Sequence, residues 1–189
     1  MEAHPTVPQH VYPPRRWPWV VAGVVVLALA ASAVWYFAIR DTGSSDTLHG
    51  PSGDPFTIAQ PEGWESLSEA QLSALPGSPL AVIRQTDGNG IVVINTQAET
   101  KGSLQKLSAK LVSKLQSAIP DFKLVTAHTV NVKAGPALSI SYARTKKGTA
   151  NTLLVVPAAG RLYTLNAVVP AGQKGAAHDA GVILSSFDA

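Results

Sequence analysis

Histidines and carboxylates are the side chains a hydrolytic or metal-assisted reaction would draw on, and their spacing decides whether they can act together. Outside the tail and linker described below, the chain has only His128 and His178. His128 falls within the strand-like run Val125–Val132, where a sheet-surface imidazole is the ordinary occupant and no neighbouring motif supplies an orienting partner. His178 precedes Asp179, but adjacent helix positions point in different directions, so the two are not a preformed dyad. Serines are plentiful, yet no Gly-x-Ser-x-Gly elbow, Walker loop or dinucleotide fingerprint occurs. Asp87-Gly88-Asn89-Gly90 lacks the remaining ligand positions and the terminal glutamate of a calcium loop and reads as a hairpin turn. Asp54, Glu62, Glu65, Glu69, Asp87, Glu99, Asp121, Asp179 and Asp188 form no recognisable glycosidase pair. With Cys 0, thiol nucleophiles, Cys-ligated zinc, disulfide scaffolds and a lipid-modified cysteine are all excluded. No catalytic residue, metal site or cofactor is therefore expected.

Candidate binding groups are cationic. Lys106, Lys110 and Lys114 recur at four-residue intervals and stack on one helix face, as a docking stripe for phosphate or an anionic polymer or as an ordinary solvated face. Arg144, Lys146 and Lys147, with Arg161, suggest a basic patch near one end of a sheet, or a charged hairpin tip that guards an edge from aggregation. Trp64 and Tyr142 are read as core residues before groove-lining ones. In the N-terminal tail, His4 and His10 have no third ligand nearby, and Pro5-Thr6-Val7-Pro8 has PxxP spacing within what reads as a plain proline-rich spacer. The net charge is only +3, which gives no reason to expect a nucleic-acid partner.

These groups need elements to hold them, and the chain's 189 residues divide unevenly. Hydrophobic residues make up 46% and charged residues 14%, a balance that leans toward a membrane. From Trp17 to Ile39 no residue is charged, and at 1.5 Å per residue these roughly 23 positions cross a hydrocarbon core of about 30 Å. Trp17 and Trp19 at one boundary and Trp35 and Tyr36 near the other suit the headgroup region as anchors. Arg15 and Arg16 precede the segment, whereas Arg40 is followed at once by Asp41, so the N-terminus is expected in the cytoplasm and the bulk of the chain outside. Ala31-Ser32-Ala33 has the form of a signal-peptidase site, but Val34 to Ile39 continue the apolar run; an uncleaved anchor is the favoured reading. The expected organisation is a cytoplasmic tail over 1–16, a spanning helix over 17–39, a Gly- and Ser-rich linker over 40–54 and an extracytoplasmic domain over 55–189.

Within that domain, residues 55–61 alternate as a short strand and run into Pro61-Glu62-Gly63-Trp64. Ser66-Leu67-Ser68-Glu69 matches a capping box opening a short helix toward Leu75. Runs 80–85 and 91–97 flank Asp87-Gly88-Asn89-Gly90 as a hairpin. Ser103 opens the clearest helix, with Leu104, Leu107, Leu111, Val112, Leu115 and Ile119 on one face and Pro120 as its stop. Runs 122–133, 136–144, 149–156 and 161–169 read as strands with short connections, hence antiparallel, before a last helix over 175–187 that presents Val182, Ile183, Leu184 and Phe187 to a core. Strands and helices segregated in this way predict an α+β fold, one antiparallel β-sheet packed with helices. Phe56-Thr57-Ile58, Pro61-Glu62-Gly63-Trp64, the amphipathic helix, the hairpins after Gly135-Pro136-Ala137 and the closing Ile183-Leu184-Ser185-Ser186-Phe187 together resemble the PsbP-like α/β/α sandwich family, in particular its LpqN-type exported actinobacterial members. The resemblance spans the exported portion and implies that fold and a non-catalytic accessory or binding role. LpqN-type proteins are typically lipoproteins, so a cysteine-free chain with a spanning helix departs from them in attachment.

The expected function is a membrane-anchored extracytoplasmic binding or accessory module of the cell envelope, with membrane lipid around 17–39 and an envelope protein or component as partners. One alternative is an envelope-polymer hydrolase with a shallow cleft. Another is a subunit that pairs through its membrane helix by way of Gly23, Ala28, Ala31 and Ser32.

Overall fold

A computed structural model describes residues 47–51, 53–88, 90–98 and 103–189. The tail, the expected spanning segment 17–39 and its anchors Trp17, Trp19, Trp35 and Tyr36 lie outside them. Among the described residues no helix is long and apolar enough to cross a membrane.

Two strands, β1 (Thr47–His49) and β2 (Thr57–Ala59), pair antiparallel as a small separate sheet. β1 falls inside the stretch read from composition as linker, so the folded unit takes in residues from Thr47 onward. β3 (Trp64–Ser66), α1 (Glu69–Ser73), β4 (Ala81–Gln85), β5 (Ile91–Ala98), α2 (Leu104–Ala118), β6 (Phe122–Val132), β7 (Gly135–Arg144), β8 (Thr149–Ala158), β9 (Arg161–Pro170) and α3 (Lys174–Ser185) follow. Seven of the strands form one antiparallel sheet in the order β3-β4-β5-β9-β8-β7-β6. The predicted α+β class holds, and the four strands after α2 form the expected succession of hairpins. The one between β8 and β9 turns on Ala159 and Gly160 at φ +50° and +72°, the left-handed pair that a two-residue type I′ turn requires.

Period-two alternation splits the side chains of β7 to β9 between two cores. Leu138, Ile140, Tyr142, Leu153, Val155 and Leu162 face α2, whose Leu111 and Leu115 are buried against them. Ala137, Leu154, Val156, Tyr163, Leu165, Ala167 and Val169 face the other way, toward Ala176, Ala180, Ile183 and Leu184 of α3. Phe56 stacks on Phe187 with ring centroids 5.6 Å apart, fastening the β2 segment to the end of the chain. A third cluster, Leu67, Leu75, Val82, Ile91 and Val93, lies under α1 on the α2 side of the sheet.

α2 starts and ends as predicted: the Ser103 hydroxyl accepts the Lys106 N–H at 3.4 Å, and Pro120 follows the last turn. Two local expectations are corrected. The capping box is Ser68 with Gln71, not Ser66 with Glu69: the Ser68 N–H donates to Gln71 Oε1 at 2.9 Å and Ser68 Oγ accepts from the Gln71 N–H at 3.4 Å. Ser66 is held extended by its pairing with Ile83 in the sheet, which pushes the cap two residues on. The last helix ends at Ser185, short of the expected Phe187; its Ile183 and Leu184, and Phe187 just beyond it, are buried, but Val182 points out, because its turn position lies off the stripe that meets the sheet.

Candidate functional site

Asp121 lies between α2 and β6, and Arg144 ends β7 directly opposite Phe122. Arg144 Nε donates to Asp121 Oδ1 at 3.2 Å, and the Lys146 backbone N–H donates to Oδ2 at 3.1 Å. Burial opposes ionisation of Asp121, but the Arg144 guanidinium and the N–H donors outweigh it and hold the carboxyl below its ordinary 3.8. The pair clamps the β7–β8 hairpin against the start of β6.

This geometry redraws the basic patch. The Arg144 side chain is 13% exposed and committed to Asp121, so it is not free for a partner. Arg161 belongs elsewhere: the β8–β9 ladder runs from Thr149↔Pro170 at one end to Ala158↔Arg161 at the other, about 30 Å away at ~3.3 Å per residue. There it forms an ion pair with Asp54 at 2.6 Å and donates a hydrogen bond to the Gly53 carbonyl at 3.2 Å. Only Lys146 and Lys147 stay exposed at the hairpin tip. Strand register, which local sequence does not reveal, separates the four cations. On α2, Lys106 is exposed and Lys110 and Lys114 are half-buried.

Beside the tip runs β6, the outer edge of the sheet and its longest strand. Leu124 is 42% and Val125 63% exposed, and a register shift between Leu124 and Thr126 bulges the strand at Val125. Such a bulge bends an edge and limits indiscriminate strand pairing. An apolar step next to Lys123 results, with Lys146 and Lys147 at the hairpin tip beyond Phe122, where β6 begins. Sequence periodicity missed it, since a strand with apolar residues is expected to bury them; position at the edge leaves these two uncovered.

Trp64 and Tyr142 are core residues, as expected. The Trp64 indole N–H donates to Asp179 Oδ2 at 3.2 Å, tying β3 to α3. Tyr142 packs on Phe122 with centroids 4.9 Å apart, and burial raises its phenol to about 12, against an opposing pull from Arg144. His128 is exposed on β6 and His178 on α3, whose Asp179 serves Trp64. The two histidines and that carboxylate are therefore not brought into one cleft. A shallow hollow of about 330 Å³ lies elsewhere, lined by His49, Gly50, Pro55, Phe56, Thr57 and Asp188. Among the described residues no group of three His, Asp or Glu is placed to hold a metal ion.

A polar feature of the core also escaped the sequence. Asn95, Asn151, Thr164 and Asn166 are buried on the α2 side of the sheet. The signal was legible in principle: Asn95 and Asn166 occupy inward positions of otherwise apolar alternating runs.

The architecture defines a class, an antiparallel sheet with helices on both faces. No family model and no curated protein sequence matches the chain. Solved structures do: the cyanobacterial PsbP (CyanoP) of Synechocystis sp. PCC 6803 superposes with a TM-score of 0.55 at 14% identity, covering 79% of this chain and 96% of that one. A Mog1 E65A mutant matches at 0.50 and 12% identity, over 76% of this chain and 86% of its own. LpqN of Mycobacterium tuberculosis, described as involved in cell envelope biogenesis, matches at 0.47 and 16% identity, over 84% and 95%. The chain has the PsbP-like fold.

Proposed function

We propose that this chain is a non-catalytic accessory module of the cell envelope, held by a single membrane helix over 17–39 with its N-terminus in the cytoplasm and its folded domain outside. The domain binds a protein partner through the outer edge of β6. The observation that carries this reading is the pair Leu124 and Val125, large apolar side chains 42% and 63% exposed on a long terminal strand. Exposed apolar surface rimmed by polar groups suits association, and an edge strand adds unpaired backbone groups to it. Lys123 next to the step, and Lys146 and Lys147 at the hairpin tip where β6 begins, favour a partner with acidic residues toward that end of its apolar contact. The PsbP-like fold is compatible with such a role and does not by itself specify it.

A photo-crosslinking residue at Val125 of the full-length chain in intact cells is expected to yield a discrete adduct, absent when the same residue replaces the exposed Lys174. Equal crosslinking at both positions would refute the β6 surface. Protease added outside the cells is expected to degrade the domain and spare the tail; protection of the domain would refute the orientation.

A further inference from the structure

The sheet face beneath α1 and α2 is divided by a line of carboxamides. In the observed register Asn95 of β5 sits opposite Thr164 of β9, Val93 opposite Asn166, and Asn151 of β8 opposite Val168. Asn95, Asn166 and Asn151 thus form one diagonal across three adjacent strands, each residue at most 6% exposed. To one side lie Leu153, Val155 and Leu162 of the α2 core; to the other, Ile91, Val93 and Val168 under α1. Asn151 turns its Nδ2 back onto Thr149 Oγ1 at 3.1 Å. Asn166 is different: neither its Oδ1 nor its Nδ2 has a hydrogen-bond partner. A buried amide left unpaired is costly, and such groups in native proteins call for an explanation.

We propose that this diagonal is the floor of a binding site for an uncharged, apolar-rich polypeptide segment in extended conformation, contributed by a partner protein. A carboxamide offers a donor and an acceptor side by side, the complement of a peptide unit. Diagonal neighbours on a sheet face stand ~7–8 Å apart, close to the ~6.6–6.8 Å that two residues of an extended chain span. Alternate peptide units of such a segment therefore meet successive asparagines. Its side chains, pointing alternately left and right, enter the two apolar walls. A charged segment is disfavoured, because no side chain on the diagonal is charged and an ion there would lose water without gaining a partner. A single water satisfies Asn166 alone; the alignment of three carboxamides is what points to a chain.

α1 is the cover that yields. It has no buried residue of its own and is held through Leu67, Leu72 and Leu75 against the cluster that contains Val93 and Val168, the neighbours of Asn166. Gly77 and Ser78 follow it at φ +83° and +44°, left-handed backbone of which the second is strained for a residue with a Cβ. Releasing α1 relaxes that turn and opens the diagonal. The site goes beyond the β6 surface and does not depend on it.

The full-length chain in detergent micelles, panned against phage-displayed random dodecapeptides, tests this. Selected peptides are expected to be uncharged and apolar-rich at their centre. Measured by fluorescence anisotropy, their affinity is expected to fall about tenfold in Asn166→Leu, which removes hydrogen bonds in a desolvated site, and to fall also in Asn95→Leu. Val125→Lys is expected to bind them as wild type does. The thermal midpoint of Asn166→Leu is expected to equal or exceed wild type, since the substitution removes an unpaired amide; should that variant not fold, Asn95→Leu carries the comparison. Equal binding by both leucine variants, or failure to select any peptide, overturns the proposal. So does a midpoint for folded Asn166→Leu several degrees below wild type, which would mark a resident water as the partner of Asn166. A Val125 adduct that persists while peptide binding fails would overturn this site and leave the β6 reading standing; the converse would do the opposite.

Discussion

Tyr142 links the core to pH in a way that can be worked through. It is 2% exposed and packed on Phe122, and its phenol is raised from 10.0 to about 12 by burial, with Arg144 pulling the other way. In the unfolded chain the same phenol ionises near 10. Between these values the unfolded state gives up a proton that the folded state keeps, so the folded state binds more protons and stability must fall as pH rises. Two pH units at 1.36 kcal/mol each set a full loss of about 3 kcal/mol, of which about 2 kcal/mol has appeared by pH ~12 and little below pH ~10. Tyr142→Phe keeps the ring against Phe122 and deletes the ionisable group. The assay is urea unfolding of both proteins across this range. The stability difference is expected to be nearly flat up to pH ~10 and then to shift toward the variant by about 2 kcal/mol by pH ~12. Taking the difference cancels the lysines and Tyr163, whose phenol burial and the Asp54 carboxylate also raise. A difference that stays constant through the whole range would refute the reasoning, as would a phenolate at Tyr142 forming near its ordinary pH.

The Arg144–Asp121 clamp gives the opposite sign. A carboxyl held below 3.8 contributes stability above its unfolded pKa and loses it as pH falls through the lower folded value. Asp121→Asn is therefore expected to be less stable at neutral pH and to converge with wild type in acid; parallel acid-unfolding curves would count against it. Gly90→Ala would place a Cβ 2.7 Å from Trp64 Cη2 and 3.1 Å from Cζ2, against an indole already held by Asp179. The expected cost is about 1–3 kcal/mol, read as a lower thermal midpoint, and an unchanged midpoint would show that Trp64 can shift. Leu115→Ala, fully buried between α2 and the sheet, is expected to cost about 2–5 kcal/mol in urea unfolding; less than ~1 kcal/mol would mean that α2 packs loosely.

How much of this was legible in advance differs from element to element. The leucine spacing from Leu104 to Leu115 and the cap at Ser103 are properties of one turn and the next, and they located α2 without reference to the sheet. The hairpin turns at Ala159-Gly160 and around Gly88 were likewise local, since left-handed backbone selects its residues from within a few positions. The cap at Ser66 was misplaced because a cross-strand pairing with Ile83, seventeen positions away in sequence, overrode a good local motif. Arg144 and Arg161 looked like neighbours because two hairpins bring distant residues close; register put them at opposite ends of the sheet instead, Arg144 opposite Thr149 at one end of β8 and Arg161 opposite Ala158 at the other.

Local residue chemistry thus determined which stretches are helices, which are strands and where they turn, together with the apolar length of 17–39 that no fold is needed to recognise. Tertiary structure decided which strand lies at the edge, and so exposes Leu124 and Val125. It also decided which side chains share a face, and so aligns Asn95, Asn166 and Asn151. The reason is physical: propensity and periodicity act over a few residues, whereas strand order and register are set by burying two faces of one sheet at once, a condition that only the whole chain satisfies.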